Sequence, residues 1–179
     1  MHIPQPPTVA ELEPAALAYL SRFAASSAHL RRVLLRRLSR AEMRGLTVDR
    51  AVLVPAIDAL VVRLAERGLL DDPAFARGLA TSLRNRGRSR RAVQQAMATR
   101  GVERSVADEA LAVADADGEA GPEGAELTAA RRLAQRRRLG PFRLDGAQRA
   151  ERREKDLAAL ARAGFSFAIA RQVIDAPTE

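Results

Sequence analysis

The sequence predicts an all-α protein made of nine short helices that group as three sets of three. Three observations lead there. Apolar residues recur at three- and four-residue spacing from Ala15 almost to the end, with helix caps between the runs. Alternation of apolar and polar residues over a strand's length is nearly missing, and β-branched clusters are rare. Apolar residues make up 47% of the chain but aromatics only 3%. That composition suits thin layers of Leu, Val and Ala between closely packed helices better than a β-sandwich.

The elements follow in order. Residues 1 to 14 hold Pro4, Pro6, Pro7 and Pro14 without a helical period and are expected to form a flexible arm. A first helix carries Leu17, Leu20 and Ala24. Ser27 is placed to cap a second, with Leu30, Leu34 and Leu38 inward. The third is expected to begin near Pro55, because proline is tolerated in the first turn and disfavoured deeper in. It carries Ile57, Leu60, Val61 and Leu64 and stops at Gly68. Asp72 and Pro73 are read as N-cap and first position of a fourth helix, with Phe75, Leu79 and Leu83 inward and Phe75 as a plug between the first two sets; it ends at Gly87. Ser89 caps a fifth, bearing Val93, Ala96 and Met97 and stopping at Gly101. Ser105 with Asp108 resembles a capping box for a sixth, bearing Val106, Ala110 and Leu111. The stretch 115–126 is rich in acids and glycine, lacks bases, and is expected to be an acidic flexible loop. A seventh helix carries Leu127, Ala130, Leu133 and Ala134 up to Gly140-Pro141. An eighth carries Leu157, Leu160 and Ala161 and stops at Gly164. Ser166 caps a ninth with Ile169 and Val173. The expected repeats span 15–70, 71–114 and 127–176.

An internal echo accompanies this grouping. Leu64-Ala65-Glu66-Arg67-Gly68-Leu69, Met97-Ala98-Thr99-Arg100-Gly101-Val102 and Leu160-Ala161-Arg162-Ala163-Gly164-Phe165 share one pattern. Each reads large apolar residue, alanine, two residues, glycine, apolar residue. The first copy closes a third helix and the other two close second helices. A common glycine helix stop accounts for part of the likeness.

Chemistry is sparse. The chain has no cysteine, hence no disulfide, thiolate ligand or cysteine nucleophile. His2 and His29 stand far apart without a carboxylate cluster; His29 is expected to face solvent. Asp71 and Asp72 are read as helix-start residues rather than metal ligands or an acid–base pair. No Gly-rich phosphate loop, HExxH or nucleophile–base pair is present, so no catalytic, cofactor or metal site and no small-molecule substrate is expected. The longest apolar stretch, Ala51 to Val62, contains Pro55 and Asp58 and is shorter than the roughly 20 residues a membrane helix needs. With no visible leader, a soluble cytoplasmic protein is expected.

The cations are the functional candidates. The chain holds 29 Arg and one Lys, for a net charge of +8. A GC-rich genome explains a high Arg:Lys ratio but not the excess over acids, which favours a polyanionic or acidic partner. Arg84, Arg86, Arg88, Arg90 and Arg91 lie close together with no acid among them, and Arg131, Arg132, Arg136, Arg137 and Arg138 form a second group. A solvated helix face is the plain reading. Like charges at i,i+4, as at Arg132 and Arg136, nevertheless repel, and retaining them suits an anionic partner. Arginine forks fit phosphate and carboxylate alike, so DNA and acidic protein patches both stay open. Phe23, Phe75 and Phe165 fall at core spacing, which leaves little for base stacking.

The segment Arg67-Gly68-Leu69-Leu70-Asp71-Asp72-Pro73-Ala74-Phe75-Ala76 resembles the RecX family of RecA regulators. The likeness runs on through Ser82-Leu83-Arg84-Asn85-Arg86-Gly87, Ser89 to Gln95 and Arg100-Gly101-Val102. A closing element, Ala163-Gly164-Phe165-Ser166-Phe167, is similar to the family's last motif; Leu69 departs from the first of these motifs and Ala163 from the last. The resemblance implies an elongated array of three tandem three-helix repeats. It also implies binding to the RecA–DNA filament, with DNA contacted through the filament. The implied role is mainly inhibition of strand exchange and ATP hydrolysis, within recombination, repair and the DNA-damage (SOS) response. A helical nucleic-acid-binding regulator independent of RecA is the alternative.

Overall fold

The computed structural model describes residues 6–116, 121–146 and 148–177. Among them are nine α-helices and no strand: α1 Val9–Leu20, α2 Ser27–Met43, α3 Arg50–Glu66, α4 Asp72–Asn85, α5 Arg90–Thr99, α6 Arg104–Ala116, α7 Gly121–Arg137, α8 Gln148–Arg162 and α9 Phe167–Ile174. A 3-10 turn, Gly140–Phe142, precedes α8. The chain divides into two compact units. One holds residues up to Phe75 with Arg100–Val102; the other holds Ala76–Thr99 and the residues from Glu103 on.

The first unit packs α1, α2 and α3 around Leu12, Ala16, Leu30, Leu34, Leu38, Leu53, Ile57, Leu60 and Leu64. The leucine ladder of α2 is fully buried, as its four-residue spacing predicts. Helix α1 corrects the expected arm. Residues 9–14 are its first two turns, and the Glu11 carboxylate accepts from the Thr8 N–H at 3.1 Å. The inward residues are Leu12 and Ala16, while Leu17 is exposed and Ala24 lies past the helix. Helix α3 likewise starts before its proline: Asp49 accepts from Val52 N–H at 3.2 Å, well ahead of Pro55. Pro14 and Pro55 each sit sixth in their helix. The carbonyls they leave without a helix donor belong to Ala10 and Ala51, both exposed and so open to solvent. Ser26, not Ser27, caps α2, accepting from His29 N–H at 3.1 Å. His29 is half-buried rather than solvent-facing, and its Nε2 shares a 3.0 Å hydrogen bond with the Tyr19 hydroxyl. Phe23, expected in the core, is exposed with its ring 5.2 Å from that of Tyr19.

At the start of α4 the two aspartates exchange their expected parts. Asp71 is the cap, its Oδ1 accepting from Ala74 N–H at 2.8 Å. Asp72 instead reaches the start of α2 and accepts from Ser27 N–H at 2.7 Å and from the Ser27 hydroxyl at 3.1 Å. A carboxylate there complements the positive end of α2. The buried stripe of α4 is Ala76, Ala80 and Arg84, one residue on from the expected Phe75, Leu79 and Leu83. Phe75 is only half-buried, so its reading as a plug is not carried.

The second unit packs α7, α8 and α9 around Ala130, Leu133, Ala134, Leu157, Leu160, Phe165, Ala170 and Val173, with α5 on α6 and α6 on α7. Its polar centre is Arg84, which is 5% exposed. The Arg84 guanidinium donates to Asp115 at 2.8 Å, to Glu126 at 2.6 Å and to the Arg88 carbonyl at 3.0 Å. Arg90 completes the set with a 2.9 Å contact to Asp115. The expected acidic loop is therefore corrected. Asp115 and Ala116 belong to α6, residues 121–126 to α7, and two of the acids neutralise members of the arginine run; residues 117–120 lie outside the described part. Buried Asp156 takes a bidentate contact from Arg143, at 2.8 and 2.5 Å, and the Gly140 N–H at 2.8 Å, fixing the 3-10 turn to α8. The left-handed residue that ends α7 is Arg138, with φ 54°.

One arrangement occurs in each unit. Ser26 caps α2 and donates its hydroxyl to the Arg100 carbonyl at 2.5 Å; Ser89 caps α5 and donates to the Ala163 carbonyl at 2.7 Å, and each pair is 74 residues apart. The residue after each serine gives its N–H to an acid, Ser27 to Asp72 and Arg90 to Glu126. The glycine after each accepting carbonyl is in close contact. A Cβ on Gly101 would meet that of Ala28 at 2.6 Å, and one on Gly164 would meet Ser89 Oγ at 2.6 Å. The second and third copies of the echo are thus equivalent joints. The first is a helix stop at Gly68, and Leu69 after it is exposed where Val102 and Phe165 are buried.

Arg84→Met should destabilise the fold by about 3 kcal/mol, since removing one partner leaves buried carboxylate charge behind; a denaturant melt unchanged from the parent would contradict the buried network. Burial, then the charges of Arg32, Arg36 and Arg100, hold the His29 pKa below its ordinary 6.5. The unfolded chain therefore takes up a proton that the fold resists. The stability contributed by neutral His29 is present above about pH 6.5 and is lost as the pH falls through the lower folded value. Thermal midpoints should fall over that range in the parent, and the fall should be shallower in His29→Gln.

Candidate polyanion-binding surface

The surface begins with the end of α4. Past Asn85 the chain turns at Gly87, and α7 lies alongside this turn. Arg136 donates to the Arg86 carbonyl at 2.7 Å, and Arg132 donates to Asn85 Oδ1 at 3.0 Å. An arginine on the last carbonyls of a helix complements its negative end. These two bonds bring Arg132 and Arg136 of the second run against the turn that carries Arg86 of the first.

The structure divides the ten candidate arginines. Arg84 is buried and Arg90 is half-buried; both hold Asp115, so neither presents its charge outward. Arg86, Arg88, Arg91, Arg131, Arg132, Arg136, Arg137 and Arg138 are exposed. None of these eight forms an ion pair among the described residues. In the first unit the α2 arginines are partly matched. Arg31 holds Asp58 through contacts of 2.6 and 3.2 Å, which keep the Asp58 carboxyl below the usual carboxylate range.

Sequence reasoning misses Arg162. It stands alone in the sequence, without a neighbouring base to mark it, yet at the end of α8 it lines a cleft with Arg88 and Arg137. The cleft has a volume of about 310 Å³ and no acid in its lining. Gly68, Asp71, Asp72, Gly101 and Gly164 serve the fold as described above, and Leu70 is buried in the core of the first unit. Among the described residues no group of three or more His, Asp or Glu is placed to hold a metal ion, and no helix is long and apolar enough to cross a membrane.

Residues 71–111 match the family model described as RecX, second three-helix domain. The chain is similar to the Regulatory protein RecX of Myxococcus xanthus, 48% identical over 165 residues, which are 92% of this chain and 84% of that protein. It is also similar to the Regulatory protein RecX of Agrobacterium fabrum, 34% identical over 110 residues, 62% of this chain and 54% of that protein. Among solved structures, one described as the crystal structure of regulatory protein RecX matches with a TM-score of 0.62 at 19% identity, covering 94% of this chain and 72% of the other, which shows the common fold. An all-helical chain with these joints, nearly half identical to a RecX protein over most of both lengths, belongs to the RecX family of regulatory proteins.

Proposed function

We propose that the protein regulates the RecA recombinase in the cytoplasm by binding the RecA–DNA filament and lowering its ATP hydrolysis and strand exchange, without a reaction of its own. The observation that supports this most is the set of exposed arginines on the second unit without an ion pair among the described residues, Arg86, Arg88, Arg91, Arg131, Arg132, Arg136, Arg137 and Arg138. These charges face outward without acids of the fold to neutralise them, so an anionic partner is the natural complement. A filament presents that partner as a long polyanion. Occupying it needs only several modest contacts, and charge-assisted hydrogen bonds contribute about 1.5–3 kcal/mol each. Arg84 and Arg90 are left out of this surface because their charges are held by Asp115 and Glu126.

The test is RecA's DNA-dependent ATP hydrolysis with increasing amounts of the parent and of Arg86→Ala/Arg88→Ala/Arg91→Ala, at several salt concentrations. The parent should inhibit, less so as salt rises. The variant, folded as judged by circular dichroism, should need at least about ten times more protein. Equal inhibition by both would make this segment a solvated face. A parent that leaves ATP hydrolysis unchanged but holds naked DNA would favour the RecA-independent regulator.

A further inference from the structure

We infer that the cleft lined by Arg88, Arg137 and Arg162 in the second unit is a binding site for a backbone phosphate of nucleic acid. The inference deepens the proposed function and rests on its reading of this face as the contact surface. It replaces a general basic patch with one recessed site, and it chooses phosphate over carboxylate.

Three structural facts carry it. Arg88 follows α4, Arg137 ends α7 and Arg162 ends α8, so arginines from three separate elements line one volume of about 310 Å³. Arginine near a helix C-terminus is ordinarily explained by the negative end of the helix. Arg136 fits that explanation, since it donates to a terminal carbonyl. The guanidinium groups of Arg88, Arg137 and Arg162 make no such bond and no ion pair among the described residues. Like charges lining one cleft repel, weakly in water, and an anion between them turns that repulsion into attraction.

The kind of anion follows from the number of cations and from the walls. One guanidinium fork already satisfies a carboxylate. Three around a single cleft suit a phosphate whose neighbours along the strand carry charge to Arg86, Arg91 and Arg136 on the same face. Ala92, Leu133 and Ala163 complete the lining. They offer apolar contact to a sugar but no aromatic ring on which a base could stack. Such a site holds backbone independently of base sequence.

The experiment measures fluorescence anisotropy of a labelled single-stranded DNA oligonucleotide with the full chain, without RecA, over a series of salt concentrations. Three proteins are compared: the parent, Arg137→Gln/Arg162→Gln, and Arg77→Gln/Arg104→Gln, which loses the same charge at positions outside the cleft. The cleft variant should bind at least about ten-fold more weakly, and its slope of log affinity against log salt should be shallower by about 0.7 for each phosphate it no longer holds. The control should stay within about three-fold of the parent, and Arg88→Gln alone should fall between them. Equal weakening in cleft and control variants, or none in either, would overturn the site. So would poly-glutamate displacing the oligonucleotide as well as polyphosphate of matched charge. RecA ATP hydrolysis, followed with the same proteins, separates the two proposals. A parent that fails to inhibit while DNA binding depends on the cleft removes the RecA reading and keeps the site. A parent that inhibits while the cleft variant holds DNA undiminished removes the site alone.

Discussion

The side chain of Arg84 is almost entirely out of water, and its charge is tolerable there only because two carboxylates meet it. That requirement shapes the second unit. Asp115 has to arrive at the end of α6 and Glu126 at the start of α7, so the segment that looks least structured in the sequence brings in both counter-charges. Glu126 also accepts from Arg90 N–H, which joins the network to the beginning of α5. A buried ion group of this kind adds little net stability over an apolar core, but with one member removed it becomes costly. Its effect is to fix which helices meet. It also engages Arg84 and Arg90 with carboxylates and leaves their neighbours without an acid.

A second constraint acts through serine. Ser26 and Ser89 each satisfy the start of their own helix and a carbonyl 74 residues on, with a glycine next to that carbonyl in close contact. A larger residue at Gly101 or Gly164 would hold the partners apart, and a residue without a hydroxyl would leave both a helix start and a carbonyl unsatisfied. The joint thus explains why a repeat so weak in sequence is still visible at these positions. What the two joints share is the geometry of a cap, a carbonyl and a small residue, and the helix faces around them differ freely.

Helix ends are legible in the sequence to within a residue or two: the caps of α2 and α4 are Ser26 and Asp71 where Ser27 and Asp72 are expected, and α6 starts at Arg104, ahead of Ser105. Ser89 and Ser166 cap their helices as expected, and Gly68, Gly87, Gly101 and Gly164 follow helix ends. The failures have local physical causes. Pro14 and Pro55 look like boundaries, yet Thr8 and Asp49 start helices ahead of them, because a proline in the second turn removes only one bond, to an exposed carbonyl. The large apolar residues of α4 suggest one stripe; the buried one is two alanines and an arginine, set by carboxylates that lie far along the chain. His29 looks exposed in sequence because its partner Tyr19 is on another helix. The arginine clusters are visible as runs. Their division into engaged and outward-facing members is not, since the acids concerned are 25 to 42 residues away.

That division bears on the meaning of the charge. Codon bias can supply arginine anywhere, and a fold that merely tolerated it would scatter cations and leave each near an acid or in open water. Here Asp115, Glu126 and Asp156 are held by Arg84, Arg90 and Arg143, and other acids of the second unit pair with arginines at the surface. Exposed Arg88, Arg137 and Arg162 stand where α4, α7 and α8 end, without an acid in the lining of their cleft. Each of those ends carries a partial negative charge of its own, which lowers the cost of assembling the cations before any partner arrives. The helix ends thus supply background that keeps the arginines in place, but as dipoles they are too weak to neutralise them. A surface poised in this way holds its charge ready without unfolding to present it, so binding a partner requires little reorganisation. Where the helix ends place that charge is therefore set by the same packing that draws Asp115 and Glu126 inward.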